Sequence, residues 1–557
     1  MMMWQTWVYP AAFMLLVLLP APWLGRYIHS LMQRPTLPGE SVLLKICGTR
    51  SDNEQNWKQY LGAVLFFNAV GFVVLLALLL CQGVLPLNPA HVRGMSLPMA
   101  INTAVSFVTN TNWQSYHGAA QLSYLSQMLG VAVANFVSAA TGIAVAVALF
   151  RALSRHGGET LGNFTQDLLR ICLGILLPMA LIVAVILMSQ GVPQTFHGPV
   201  LTHPLDAASQ IIAMGPVASQ EAIKQIGTNG GGFFAANSAY PFENPTALSN
   251  WVEMIAILLL PAAMVCAFGE FIHNRKHSYT ILATMAILFV IGLAIALQQQ
   301  LGADPVLAHL TTVKGHWQGI ESRFGVVLST IWANATSAAS NGSVNATLDS
   351  FSPIASMVAM VNILTGEVIF GGVGCGIYGM LLFVMLTVFL CGLMVGHTPT
   401  YLGKPLNINI IKWVVLTMLV MPVGVLVLGG CSLLLPHIRS VIGVAGPHGL
   451  SRLLYAFASA TGNNGSALSG FNAANSVQEI ILAVAILLGR YGIMIPVMAI
   501  AGEFVKAKRI ETGHGSLPIH GMLFAVLLIF SIFVIGALAF LPTLALGPIA
   551  DSLRMGG

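Results

Sequence analysis

Long apolar runs alternate with polar connections along the whole chain. Runs at 7–25, 60–81, 121–150, 171–190, 251–272, 278–297, 377–396, 413–436, 477–505 and 517–541 each come near the ~20 mainly apolar residues a helix needs to cross a bilayer. The pattern predicts an all-α polytopic membrane protein with ten transmembrane helices. Helices are the expected form because backbone facing lipid must satisfy its own N–H and C=O groups.

Four of the polar connections are longer than a crossing requires, and each holds a similar piece. From Pro98 to Gln114, Pro216 to Phe233, Arg323 to Val344 and Pro447 to Leu468, a half-length helix leads into a short run of Thr, Ser, Asn and Gly. In three of them a Pro stands near the helix start, where its missing N–H costs nothing. Thr109, Thr228, Thr336 and Thr461 recur at intervals of 119, 108 and 125 residues. That period predicts four units of helix, re-entrant half-helix, polar loop and helix. The units are 59–155, 156–277, 278–405 and 406–512, with one further helix in each flank, 1–58 and 513–557.

Polar loops at membrane depth are tolerated only when buried in protein or lining a water-filled path. Four around one axis can offer backbone carbonyls in place of a cation's hydration shell. The half-helices then end near the axis, each with about half a negative charge. Such a site suits a weakly hydrated monovalent cation and needs no carboxylate. Glycines at 230, 231, 232, 342, 462 and 465 permit the left-handed backbone that turns carbonyls inward.

Composition excludes the main alternatives. Only 7% of the 557 residues are charged, 56% are hydrophobic and mean hydropathy is +0.82, too little charge to cover a water-facing surface. A soluble enzyme, a disordered chain and a nucleic-acid binder are all excluded. The seven Cys and 15 His are scattered without metal-ligand spacing, so no metal centre or disulfide framework is expected. No Asp-Lys-Thr-Gly-Thr phosphorylation motif and no Gly-x4-Gly-Lys-Ser/Thr loop occurs. The chain is therefore not expected to be a catalyst on its own.

Alternate connections share the basic residues unequally. One set holds 15 Lys and Arg, the opposite set holds 7, and Arg490 lies inside a span. The positive-inside rule places the richer set in the cytoplasm and both termini outside.

Several long strings resemble the potassium-binding subunit of the Kdp-type potassium-transporting ATPase. They include Asn102–Gln114, Gly215–Ile223, Gly227–Phe234, Pro241–Thr246, Gly366–Gly374, Arg490–Gly492 and Ile495–Gly502. The resemblance implies a core like that of the potassium channel superfamily, in the bacterial inner membrane. It implies that K⁺ is bound from outside and passed to a separate P-type ATPase catalytic subunit, with two small accessory subunits completing the complex. Carried over by position, the filter oxygens come chiefly from Asn110, Thr228, Ser340 and Asn463. Their neighbours Asn112, Gln114, Asn229, Gly230, Asn341, Gly342, Asn464 and Gly465 complete the K⁺ site. Gln114 and Gly230 are expected to tune selectivity. The segment around Gly371, Gly372 and Gly374 is expected to break its helix and gate the ion path. The chain departs from the family pattern at Thr461-Gly462, and at His397 and Thr400, where Arg and Glu are common.

Two charged pairings stand out. Arg490 in an apolar span costs about 2.5–3.5 kcal/mol on insertion scales. It is expected to pair with Glu367 or to block straight-through leak. Glu221 and Lys224, three apart on the second half-helix, are expected to form a local pair. Two rival functions remain open on sequence alone: an autonomous K⁺ channel or Trk/Ktr-like transporter, and an organic-solute transporter using Glu367 and Arg490 at mid-membrane.

Overall fold

The computed structural model describes residues 5–50, 53–155, 157–203, 209–303, 315–396, 398–509 and 518–556; His397 lies outside them. Among the described residues ten helices are long and apolar enough to span a membrane. They are Gln5–Gln33, Trp57–Val84, Ser126–Ser154, Phe164–Ser189, Ala247–Phe271, Arg275–Leu301, Cys375–Val395, Ile408–Leu433, Ser476–Lys506 and Met522–Met555. We number them as the first to tenth spans. Each run of the apolar pattern corresponds to one of them. The chain is a multi-pass membrane protein.

Four half-helices, Leu97–Val108, Val217–Ile226, Gly325–Ala338 and Pro447–Thr461, lie between spans two and three, four and five, six and seven, and eight and nine. They descend from one side, here called the upper face. By alternation both termini lie on that face too. A short apolar helix not anticipated from the sequence, Pro353–Leu364, precedes the seventh span. Among the described residues strands are confined to three two-stranded antiparallel pairs outside the spans, such as Val200–Thr202 with Gln210–Ile212.

Local chemistry starts and bends the helices. Asn56 accepts from the backbone N–H groups of Lys58 and Gln59 at the head of the second span, while Gln59 caps back; Asn274, Asn407 and Asn475 cap the sixth, eighth and ninth. Pro178 lacks the N–H that would bond to Gly174 four residues earlier. A π-turn, Cys172–Leu176, forms there, and the Tyr27 hydroxyl donates to the released Gly174 carbonyl at 2.8 Å.

Packing sorts the spans. The third and fifth are buried along most of their length, whereas the second and tenth mainly face outward. Small residues allow close approach: a Cβ on Gly25 would lie 2.7 Å from the Cys266 Cβ, so the first span seats directly on the fifth. At the lower face, Lys404 is fully buried and donates to the carbonyls of Ala152, Arg155 and Phe504 at 2.6–2.8 Å. It thus caps the ends of the third and ninth spans with one cation. Arg151 holds Asp167 through two bonds, with Tyr60 donating to the same carboxylate.

At the upper face the C-terminal turn is fastened to the fourth half-helix. His448 reaches Asp551 at 2.8 Å and Asp349 at 3.2 Å, and Arg452 pairs with Asp349. Hydrogen bonding to Asp349, outweighing partial burial, raises the His448 pKa. A raised histidine contributes stability below its ordinary pKa of about 6.5 and loses it as pH climbs through the folded value. Thermal unfolding of the purified chain should show a lower midpoint at pH ~9 than at pH ~6, and His448→Gln should remove that component. The effect should stay within ~1 kcal/mol because the pair is partly exposed.

Candidate functional site

Each half-helix ends in the same backbone turn. The residues just past the ends, Asn110, Thr228, Ser340 and Asn463, all have positive φ, at 69°, 48°, 54° and 55°. The following N–H groups, of Thr111, Asn229, Asn341 and Asn464, return to the carbonyls of Ser106, Lys224, Thr336 and Ser459 at 2.9–3.1 Å. This is the six-to-one closure of a Schellman end, made here with Asn, Thr and Ser where glycine is usual. A non-glycine residue in this region costs roughly 1–2 kcal/mol, most for the β-branched Thr228. Such strain concentrates at functional sites.

Two residues further on, the chain turns left-handed again, at Asn112, Gly230, Gly342 and Gly465 (φ 54°, 91°, 81° and 94°). The four loops are therefore equivalent at 110, 228, 340 and 463. The threonines picked out by the sequence spacing are not all equivalent, because Thr336 lies inside its half-helix. The departure at Thr461-Gly462 leaves the fourth turn intact, since Asn463 carries the positive φ.

The loops close into a ring in chain order. A Cβ on Gly230 would lie 1.6 Å from the Asn341 carbonyl oxygen, one on Gly342 2.1 Å from that of Asn464, and one on Gly465 2.1 Å from that of Thr111. Only glycine permits these approaches. Side chains stitch the same junctions. Asn110 donates to the Gly227 and Thr228 carbonyls, and Ser340 lies 3.1 and 3.0 Å from those of Gly462 and Asn463. Asn463 donates to the Thr111 hydroxyl. Asn229, Asn341 and Asn464 reach back to the preceding unit, at Asn110 Oδ1, the Lys224 carbonyl and the Thr336 carbonyl.

Gln114 is particular to the first loop. Its amide donates to the Gly232 carbonyl at 2.8 Å and accepts from the Gly232 N–H at 3.0 Å. A side chain thus replaces a rung of backbone pairing between loops one and two. Sequence reasoning missed Asn135 and Ser138 of the third span, which bond Asn112 and Asn110. Polar residues within an apolar span were the signal available.

Beneath the ring, the chain between Leu364 and Cys375 is not helical. Gly366, Glu367, Phe370, Gly371 and Gly374 all have positive φ. Gly372 does not, so its role is space: a Cβ there would meet Cys375 Sγ at 2.5 Å and Ser340 at 3.3 Å. The Val373 N–H donates to the Thr228 hydroxyl at 3.0 Å, and the Gly371 N–H to the Ala338 carbonyl at 2.9 Å. The segment therefore packs directly against the second and third turns.

A small cavity opens below the turns, lined by Asn110, Ser340, Asn463, Glu367, Tyr378 and Arg490. Glu367 and Arg490 face this one space, but no ion pair within 4.0 Å joins them among the described residues. The expected direct pairing is not formed. Arg490 instead donates to the Ser138 carbonyl at 2.9 Å, which the third span offers closer at hand. Glu367 Oε1 and Arg490 Nε take no hydrogen-bond partner from the protein. The cavity shares Gly366, Gly379, Met421 and Ile493 with a second, apolar one between the seventh, eighth and tenth spans.

The second half-helix carries the other expected pair. Lys224 contacts Glu221 at 2.6 Å, and it also contacts Glu243 at 2.8 Å. All three are buried.

Comparison with known proteins agrees with this architecture. A family model described as potassium-transporting ATPase A subunit matches residues 11–553. Similar proteins named potassium-transporting ATPase potassium-binding subunit include one from Pseudomonas entomophila, 51% identical over 98% of both chains. Another, from Rhodospirillum centenum, is 49% identical over 96% of this chain and 95% of its own. Among solved structures, the potassium transporter TrkH from Vibrio parahaemolyticus superposes with a TM-score of 0.51 at 16% identity, covering 88% of this chain and 97% of that one. At that identity the likeness is one of fold.

Proposed function

The chain belongs to the potassium-transporting ATPase A subunit family, and from that membership we propose that it is the ion-selecting subunit of an ATP-driven K⁺ importer. K⁺ enters from the upper, extracytoplasmic face and sheds water onto the carbonyls of the four loops. Asn110, Thr228, Ser340 and Asn463 form the innermost level of this filter, and Asn112, Gly230, Gly342 and Gly465 a level above it. The negative ends of four half-helices point at the ring and favour a cation without a fixed carboxylate. This subunit leaves ATP chemistry to a P-type ATPase partner in the bacterial inner membrane, with two small subunits completing the complex.

The observation that carries this reading is the fourfold left-handed turn, kept at a strain cost by Asn, Thr and Ser. The segment 366–376 beneath it stands across a straight exit. The shared wall of the two cavities supports a sideways handover towards the partner. An autonomous channel needs a straight path, and that segment argues against one.

Two measurements test the reading. The assembled complex should hydrolyse ATP in response to K⁺, and the isolated chain in liposomes should pass no steady K⁺ current. Gln114→Ala, which removes both bonds to Gly232, should raise the K⁺ concentration for half-maximal hydrolysis about tenfold, as two hydrogen bonds of 0.5–1.5 kcal/mol allow. An unchanged K⁺ dependence in this variant would count against the filter, and a steady current from the chain alone against the handover.

A further inference from the structure

The second filter loop is backed by a fully buried charged cluster. Lys224 Nζ donates to Asn237 Oδ1 at 2.9 Å, Ser238 Oγ at 2.9 Å and Glu243 Oε2 at 2.8 Å, besides its contact with Glu221. Gln225 joins Glu221 to Glu253, and Ser343 of the third loop donates to Gln225. Lys224, Glu243 and Glu253 are fully buried. Breaking such a cluster by removing one partner strands a charge.

Its consequence reaches the ring through one amide. Because Lys224 can only donate, the oxygen of the Asn237 amide must face it, so Nδ2 faces the other way. There it donates to the Gly230 carbonyl at 2.6 Å. Asn237 is held for this with φ of 52°. No such donor reaches the carbonyls of Asn112, Gly342 or Gly465 among the described residues. A carbonyl already bonded at 2.6 Å has one lone-pair direction fewer for a cation.

Resting on the filter reading above, we propose that Asn237 is a specificity-determining residue and Lys224 with Glu243 its positioning residues. The level of Asn112, Gly230, Gly342 and Gly465 then offers an ion three free carbonyls and one shared. Sharing weakens the field at that level, which disfavours a small, strongly hydrated cation such as Na⁺ relative to K⁺.

The test is the ion preference of the assembled complex, read as the ratio of Na⁺ to K⁺ concentrations giving half-maximal ATP hydrolysis. Asn237→Gly keeps the left-handed backbone and deletes the amide; it should lower this preference for K⁺ at least fivefold. Asn237→Asp, which cannot donate to Gly230 when ionised, should do the same. Lys224→Met combined with Glu221→Gln and Glu243→Gln removes the ammonium together with both carboxylates it contacts, and should reproduce the shift by freeing Asn237. A loss of turnover with the ratio unmoved in these variants overturns the proposal and leaves the cluster a purely structural support. Gly230→Ser in the same assay separates the two readings. If it moves the ratio while the Asn237 variants do not, only this inference fails; if none moves it, the filter reading fails as well.

Discussion

Gly342→Ala should raise the K⁺ concentration for half-maximal ATP hydrolysis by about 100-fold, or abolish the response. Two costs combine. The residue sits at φ of 81°, where an added Cβ destabilises by about 1 kcal/mol or more. That Cβ would also lie 2.1 Å from the Asn464 carbonyl oxygen. The atom it meets is backbone, so no rotamer change relieves the clash, and overpacking of this kind costs typically 1–3 kcal/mol. About 3 kcal/mol corresponds to roughly two decades in affinity. Gly465→Ala and Gly230→Ala should behave alike, since each faces the next loop's carbonyl in the same way. Gly62, on the second span, has nothing within 4 Å of a built Cβ, and Gly62→Ala should leave K⁺ dependence unchanged. A Gly342→Ala complex with ordinary K⁺ dependence would show that the loops do not form a tight ring.

Glu367→Gln and Arg490→Met should push transport in opposite directions. Both side chains are buried, at 6% and 4% exposure, on the wall of one cavity beneath the ring. At an effective dielectric of ~20, a unit charge ~7 Å from a cation is worth roughly 2.4 kcal/mol, or about 50-fold. Removing the carboxylate leaves the guanidinium to repel an arriving K⁺, so Glu367→Gln should cut turnover about 50-fold. Removing the guanidinium lowers the barrier to an ion leaving the filter, so Arg490→Met should admit radioactive rubidium without ATP. Arg490→Lys keeps the charge and should restore tightness even if the bond to Ser138 is lost. Equal losses of turnover in both variants, with no leak, would mean that the two residues serve packing alone.

How much of this was legible beforehand differs by level. The ten spans followed from run length, since a bilayer demands about 20 apolar residues whatever their partners. The four re-entrant pieces followed from Pro, Ser, Thr, Asn and Gly placed where lipid would forbid loose backbone. The exact register of the loops did not follow from spacing: Thr336 looked equivalent to Thr228, yet the shared turn runs through Ser340. A left-handed turn is conspicuous when glycine makes it and hidden when Thr or Ser does. The pairing of Glu221 with Lys224 was visible three residues apart, but Glu243 and Asn237 join them only because the loop after the filter folds back. Glu367 and Arg490 lie more than 100 positions apart in the chain, and nothing local could reveal that Ser138 takes the Arg490 bond.

The sequence by itself therefore determined that this is a membrane protein, how often it crosses and which segments turn back at depth. These are one-dimensional consequences of hydropathy and backbone hydrogen bonding, both settled within 20–30 residues. Its long strings of family residues determined the family as well. Only the tertiary structure decided which oxygens meet, that the four loops close in chain order, that the Gly230 carbonyl is bonded by Asn237, and that segment 366–376 packs against the second and third turns. Those outcomes depend on contacts a few ångströms long, most of the ring's between residues 100 or more positions apart, where a single Cβ decides whether two backbones can touch.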